Sequence, residues 1–342
     1  MNVSKSQNLL QVRNLSLDVL TEQGRFPLVR NISFDLEAGK VLGIVGESGS
    51  GKTVTCMGLT RLLLEPPIYY REGEVWLNGQ DLWKLPPDQV IKKRGSEIGI
   101  IFQEALSALN PVIRVGKQVE EVLRHHFDLG KSEAYQEAIE LFNQVGIPSP
   151  EIRYNHYPHQ LSGGLQQRIM IAMALAGNPH LLIADEPTTA LDVTIQVQIM
   201  ELLKNLQRQR EMAIIFVSHD LGLIAELCDH VLVMYAGEIV EYGGVHEIFE
   251  SPAHPYTQLL IRTILRIQSE RGKFVEIPGQ VPSPANYPEG CRFHPRCPFA
   301  DGKCKEDSPD VFILNPSHRY RCWHPDLKGS TISKKHSCEQ NT

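Results

Sequence analysis

Residues 41–53 read VLGIVGESGSGKT, and no other stretch of the chain is as informative about its fold. The first five residues are an apolar run, typical of a strand buried in a parallel sheet. The remaining eight match the pattern G-x-x-x-x-G-K-[ST] and lead into a helix-like segment. Such a loop surrounds phosphate groups with backbone N–H groups at the positive end of a helix. We therefore expect a phosphate site formed by Gly46, Glu47, Ser48, Gly49, Ser50, Gly51, Lys52 and Thr53.

Two of these side chains have specific expected partners. Lys52 should reach the β- and γ-phosphates, and Thr53 should hold Mg²⁺. A second element, LLIADEP at residues 181–187, brings two carboxylates to the end of another apolar run. Asp185 is expected in the Mg²⁺ shell, and Glu186 as the general base that polarises water. Without the phosphate loop, the same two carboxylates would be read as an ordinary acidic turn.

The rest of the chain predicts an α/β fold with a largely parallel sheet, because apolar strand-like runs alternate with helical periodicity. The strand-like runs lie at 96–102, 180–184, 213–217 and 230–235. A helix-rich stretch, about 104–177, interrupts this alternation like an inserted subdomain. Prolines and cysteines become frequent after residue 256. We expect a main domain at 1–255, a small cysteine-rich domain at 256–328 and a disordered tail at 329–342.

Composition excludes several classes of protein. The 342 residues carry 34 basic and 40 acidic side chains, a net charge of −6, which argues against nucleic-acid binding. Hydrophobic residues make up 42% of the chain, too many for global disorder. No uncharged apolar stretch is long enough to span a membrane, and the first residues lack a signal-peptide core. We therefore expect a cytosolic chain.

A third motif, LSGGLQQR at residues 161–168, lies between the two phosphate elements. A Ser-Gly-Gly turn that opens a helix is an anion site, although in isolation the motif is better read as an ordinary helix cap. Further motifs follow the order of a known family: IIFQE with Gln103, ALD with Asp192 and VSHD with His219. With them the chain resembles the ATP-binding-cassette (ABC) ATPases over about residues 9–250. The resemblance implies a P-loop NTPase cassette, a RecA-like core with a helical subdomain.

The resemblance also implies roles for these residues. Two cassettes would enclose two ATP molecules, and Ser162, Gly163 and Gly164 would bind the ATP of the partner cassette. Gln103 would contact Mg²⁺ and sense the membrane partners, Asp192 would belong to the D-loop, and His219 would be the switch histidine. Val19 occupies the position where the family usually stacks an aromatic residue on adenine. Either Phe26 takes that role or adenine is held more loosely.

Narrower motifs resemble the ATPases of oligopeptide, dipeptide and nickel importers. They are LNP at 109–111, DEPTTALDVTIQ at 185–196, HPYT at 254–257 and the proline- and cysteine-rich tail. The resemblance implies import of di- or oligopeptides at the cytoplasmic side of the inner membrane. The implied partners are a second, unlike ATPase subunit, two transmembrane permease subunits and, indirectly, a solute-binding protein. The alternatives are a nickel or metal-chelate importer and, more remotely, a soluble ABC switch protein.

Four cysteines lie close together in the tail: Cys291, Cys297, Cys304 and Cys322. Five, six and seventeen residues separate them, so the short C-x₂₋₄-C knuckle of structural zinc sites is absent. Four thiolates in a glycine- and proline-rich loop suit an iron–sulfur cluster, while zinc and free thiols remain open. The resemblance implies a 4Fe-4S cluster. Arg292, Arg296 and Arg321, beside the cysteines, are read as offsetting its charge or as solvated.

Overall fold

The protein is described by a computed structural model that covers residues 8–189, 191–269 and 277–325. Its central sheet contains five parallel strands, which explains the uninterrupted apolar runs, since both faces are covered. In spatial order these strands are β9 (His230–Tyr235), β3 (Val41–Val45), β8 (Ala213–Val217), β7 (Leu181–Asp185) and β6 (Ile98–Ile101). The predicted α/β fold is confirmed.

A separate antiparallel sheet covers one face of the central sheet. Its spatial order is β2 (Gly24–Glu37), β1 (Asn8–Thr21), β4 (Ile68–Leu77) and β5 (Gln80–Asp81). One continuous core joins this sheet to the central strands and to helix α1 (Lys52–Leu59). The glycine-rich loop is therefore held between two packed layers.

Helices cover the opposite face of the central sheet. Between β6 and β7 lie α3 (Ala105–Ala108), α4 (Val115–His126), α5 (Lys131–Gln144), α6 (Pro150–Arg153), a 3₁₀ turn (Pro158–Gln160) and α7 (Gly163–Leu175). These helices occupy the stretch for which the sequence predicts an inserted helical subdomain. Further along the chain come α8 (Val193–Arg210), α9 (Leu221–Leu227), α10 (Val245–Glu250) and α11 (Pro255–Ser269). The short α2 (Pro87–Lys93) precedes β6.

The C-terminal region extends the central sheet. Strands β11 (Phe312–Asn315) and β12 (His318–Tyr320) form a hairpin, and β12 pairs antiparallel with β10 (Glu238–Gly244), which itself pairs with β9. Two 3₁₀ turns (Pro284–Asn286 and His294–Arg296) and α12 (Gly302–Glu306) precede the hairpin. The tail expected at 329–342 lies outside the described residues. None of the described helices combines the length and the hydrophobicity that crossing a membrane requires.

Candidate nucleotide site and cysteine cluster

Four neighbouring strands deliver polar residues to one edge of the sheet. The phosphate loop, residues 46–53, follows β3; Gln103 follows β6; Asp185 and Glu186 end β7; and His219 follows β8. Because these strands are parallel, their carboxyl ends lie side by side, where ligands bind in open α/β sheets. The topology therefore brings the predicted phosphate, magnesium and base residues together.

The side chain of Lys52 is folded back onto its own loop. Its Nζ donates to the carbonyl oxygens of Gly46, at 2.9 Å, and Glu47, at 3.2 Å. Burial lowers the pKa of Lys52, while the carboxylates of Glu186 and Asp185 act in the opposite direction. A bound anion would favour the charged amine in the same way. These contacts keep a cation beside the loop whose N–H groups are suited to phosphates.

Thr53 and Asp185 form an oxygen-rich pair. The Thr53 hydroxyl donates to Asp185 Oδ1 over 3.2 Å, across 132 positions of sequence. Burial raises the pKa of Asp185, and the hydrogen bond from Thr53 partly opposes this rise. A hydroxyl and a carboxylate are oxygen ligands of the kind that Mg²⁺ prefers. The donor set therefore fits the ion that the sequence motif predicts.

Glu186 lies at the centre of a small hydrogen-bond network. Its Oε2 accepts from Gln103 Nε2 at 3.0 Å and from Thr189 Oγ1 at 3.0 Å, and it lies 3.4 Å from His219 Nδ1. Its backbone has a positive φ of 47°, a left-handed conformation that a non-glycine residue adopts at a cost. Both features fix the direction of the carboxylate. Sequence reasoning missed Thr189, although it stands inside the quoted DEPTT motif.

The side chain of Gln103 is hydrogen-bonded to Glu186. Within the part of the chain that the structure describes, Gln103 makes no hydrogen bond to Thr53 or Asp185, the expected Mg²⁺ ligands. Its predicted role as a Mg²⁺ ligand stays a prediction. Val19 lies half-buried in β1, opposite Phe26 of β2 and Ile68 of β4. An aromatic ring thus adjoins the position where the family places one, which keeps Phe26 open as the adenine contact.

The Ser-Gly-Gly turn is presented at the surface. Ser162 precedes α7 as its N-cap, and its hydroxyl makes no capping hydrogen bond. Ser162 and Gly163 are exposed, and Gly164 packs so closely that an added Cβ would lie 2.9 Å from Ile195 of α8. Asp192 caps α8 by accepting from the Ile195 N–H at 3.0 Å. The start of α7 is therefore held by α8 with its polar groups exposed.

The four predicted cysteines gather in the C-terminal region. Cys304 and Cys322 are buried, and Cys291 and Cys297 are partly buried. The N–H of Cys291 donates to the Cys304 carbonyl at 2.9 Å, which joins two of the loops. Burial raises the pKa of Cys291 to about 11 and that of Cys322 to about 12, and the neighbouring cysteines add to both rises. The four side chains therefore form one cluster.

The spacing of the sulfurs bears on the group that they could hold. Tetrahedral zinc with Zn–S near 2.3 Å places its sulfurs about 3.8 Å apart. Within residues 8–189, 191–269 and 277–325, no three cysteine sulfurs lie within 4.8 Å of one another; the group that does meet this limit is Asp301, Cys304 and His324. The backbone N–H of His324 donates to the sulfur of Cys322 at 3.3 Å. Hydrogen bonds to the sulfurs are one of the means by which proteins tune iron–sulfur sites.

The fold and the strand-end site define a P-loop ATPase of the cassette type. Residues 29–189 match the family profile described as ABC transporter, and residues 240–304 match that of the oligopeptide/dipeptide transporter C-terminal region. A dimeric ATP-binding cassette solved in a post-hydrolysis state with ADP and Pi aligns with a TM-score of 0.63 and 28% identity, over 69% of this chain and 98% of that one. A Clostridium perfringens cassette from the cbiONQ transporter complex aligns with a TM-score of 0.61 and 27% identity, over 71% of this chain and 91% of that one.

Relatives that match over most of the chain are more similar to it in sequence than these two solved structures. The oligopeptide transport ATP-binding protein OppD of Bacillus subtilis is 47% identical, over 93% of this chain and 90% of its own length. The dipeptide transport ATP-binding protein DppD of Escherichia coli is 45% identical, over 93% of this chain and 97% of its own length. The chain belongs to the ABC transporter ATPases, in the branch that carries the oligopeptide/dipeptide C-terminal region.

Proposed function

We propose that this ATPase powers the import of di- or oligopeptides, as a peripheral subunit at the cytoplasmic side of the inner membrane. The observation that carries this proposal is the pairing of a complete cassette site with the oligopeptide/dipeptide C-terminal region in one chain. Relatives named for oligopeptide and dipeptide transport support peptides over nickel. The same C-terminal region speaks against a soluble switch protein.

The site supports a direct hydrolytic mechanism. ATP phosphates would take the N–H groups of residues 46–53 and draw Lys52 away from the carbonyl of Gly46. Thr53 and Asp185 would hold Mg²⁺, which neutralises charge on the phosphates. Glu186 would accept a proton from the attacking water as general base, a role that contributes about 10²–10⁴-fold to the rate.

Other residues would act around this centre. Gln103, Thr189 and His219 are placed to hold the Glu186 carboxylate in position, through their contacts at 3.0–3.4 Å. The turn at residues 162–164, in which Ser162 and Gly163 are exposed, would complete the ATP site of a second, unlike cassette subunit. Two permease subunits would dock on the helical subdomain and be sensed through Gln103.

We also propose that Cys291, Cys297, Cys304 and Cys322 hold a 4Fe-4S cluster in a domain spanning about 256–328. Four free cysteines gathered in the C-terminal region, and the N–H···S bond at Cys322, support this assignment. Anaerobically purified protein should contain about four iron and four sulfide per chain and absorb visible light. Zinc in place of iron, at one ion per chain, would overturn it.

Transport itself is tested in native membranes. Purification of the tagged chain should bring down two polytopic membrane proteins and a second cassette protein. Vesicles containing that complex and its solute-binding protein should take up labelled peptides with ATP and ignore nickel. Nickel uptake that peptides do not compete would favour the metal importer, and the absence of membrane partners would contradict the proposal.

A further inference from the structure

The segment that carries the four cysteines, residues 291–322, is called the cysteine region here. One of its arginines contacts the phosphate loop. Arg296 immediately precedes Cys297, and its guanidinium binds both carboxylate oxygens of Glu47, at 2.8 and 2.9 Å. The same group donates to the carbonyls of Ile277, at 3.1 Å, and Pro278, at 2.8 Å. Its side chain is only 6% exposed, so the reading of Arg296 as a solvated cation is wrong. The paired residues are 249 positions apart.

The backbone of Glu47 is held from the same side. Its N–H donates to the hydroxyl of Tyr256, at 2.9 Å, and Tyr256 is fully buried. Tyr256 packs against Phe293, which lies two residues after Cys291, with ring centroids 5.3 Å apart. Both the side chain and the backbone of Glu47 therefore depend on the C-terminal region.

A second arginine holds the far side of the loop indirectly. Arg292 immediately follows Cys291, donates to the carbonyl of Ala236 and lies 3.2 Å from the carboxylate of Glu238. The next residue in that turn, Gly237, donates its N–H to the carbonyl of Ser50, at 2.8 Å. Two cysteine-adjacent arginines thus brace the phosphate loop from two directions.

The charge of Glu47 gives this contact a function. Glu47 stands in a loop that must bind the anionic phosphates of ATP, and a carboxylate without a counter-charge would repel them. A bidentate arginine pair is strong and fixes geometry as well as charge. We propose that Arg296 is a positioning residue for ATP binding, which neutralises Glu47 and so makes nucleotide affinity depend on the cysteine region.

The test is the affinity of the full-length chain for ATP with Mg²⁺, measured by calorimetry in a Glu186→Gln background that suppresses turnover. Arg296→Gln should raise the Kd roughly 10-fold, because hydrogen bonds to charged groups are among the stronger ones. Arg296→Lys keeps the charge without the bidentate geometry and should raise the Kd for ATP about 3-fold. Adding Glu47→Gln to Arg296→Gln should restore affinity to within about 3-fold of the parent, since the repelling charge is gone.

Arg321→Gln is the matched control, because Arg321 adjoins Cys322 and the described contacts give its side chain no hydrogen bond to the loop. Its Kd should stay within about 2-fold of the parent. Equal losses in Arg296→Gln and Arg321→Gln would mean general damage to the region and would overturn the proposal. So would an unchanged Kd in Arg296→Gln, or a loss that Glu47→Gln leaves uncorrected.

A second arm rests on the proposed iron–sulfur site and asks whether the cysteines act through Arg296. Cys297→Ser should lose iron and weaken ATP binding, and it should weaken binding no further when combined with Arg296→Gln. Iron loss without any change in Kd would overturn the dependence on the cysteine region. A parent protein that holds no iron would contradict only the cluster, because the arginine variants are read without it.

Discussion

Glu186, the proposed general base, has a carboxylate whose direction is fixed by its surroundings. Three side chains converge on one of its oxygens, and its own backbone is held in a left-handed conformation. Strain of this kind persists where the surrounding structure fixes it, often at active sites. A carboxylate held so firmly is suited to orienting one water molecule.

We predict that Glu186→Gln keeps ATP binding and lowers kcat at least about 100-fold, because glutamine keeps the shape but cannot accept the proton. ATP hydrolysis by the assembled transporter measures this, with Glu201→Gln on the exposed face of α8 as the control. Turnover close to the parent rate would remove Glu186 from the role of general base.

At this scale the sequence predicts what is local. Lys52, Asp185 and His219 follow apolar runs at fixed spacing, so a motif identifies them before the fold is known. Thr189 lies three residues after Glu186 in the same motif, so its contact could have been considered from the sequence. Arg296 meets Glu47 across 249 positions, only through the tertiary fold. No local spacing could have revealed the second contact.

At the scale of elements, the phosphate loop depends on glycines for two different reasons. A Cβ on Gly46 would lie 2.3 Å from the Met234 carbonyl and 2.7 Å from Ser50 Oγ, so backbone would have to move. A Cβ on Gly49 would meet no protein atom within 4 Å. Gly46 is therefore required by packing, while Gly49 borders open space on the loop.

We predict that the two alanine variants separate folding from binding. Gly46→Ala should lower the Tm markedly and abolish ATP binding, because clash adds to the strain of a positive φ. Gly49→Ala should cost only about 1–2 kcal/mol of stability, the strain alone, yet still weaken ATP binding because its methyl group occupies the space beside the loop. Thermal unfolding and ATP titration of both variants check this; equal losses of Tm would contradict it.

The strands of the core were predictable because burial on both faces leaves long apolar runs, as at 41–45 and 213–217. The hairpin of β11 and β12 was not, because FILN and HRY are short and of mixed polarity. Their pairing is stabilised by β10, more than 60 residues earlier, which no local pattern shows.

At the scale of the whole molecule, a buried contact fastens this hairpin to the cassette. Glu241 of β10 is fully buried and accepts from the N–H groups of Ala253 and His254, at 2.6 and 2.9 Å. His318 of β12, itself buried, lies 2.7 Å from the same carboxylate. Strand, hairpin and the start of α11 therefore meet at one acidic side chain.

We predict that His318→Leu lowers the free energy of unfolding by about 3 kcal/mol, because it leaves a buried carboxylate without one of its partners. Urea unfolding measures the change. His246→Leu removes an imidazole that is 89% exposed and should cost less than about 0.5 kcal/mol. Similar costs at the two histidines would show that the buried contact does not fasten the hairpin.

The pairing of β12 with β10 also has a consequence for how the chain can be shortened. A cassette cut after α10 would keep β10 but lose the strand beside it, leaving a row of backbone N–H and C=O groups without partners. Bare strand edges of this kind recruit strands from other molecules and promote aggregation. The C-terminal hairpin thus protects the edge of β10 from pairing with other molecules. A truncated protein should therefore be prone to precipitate even where its ATP site is intact.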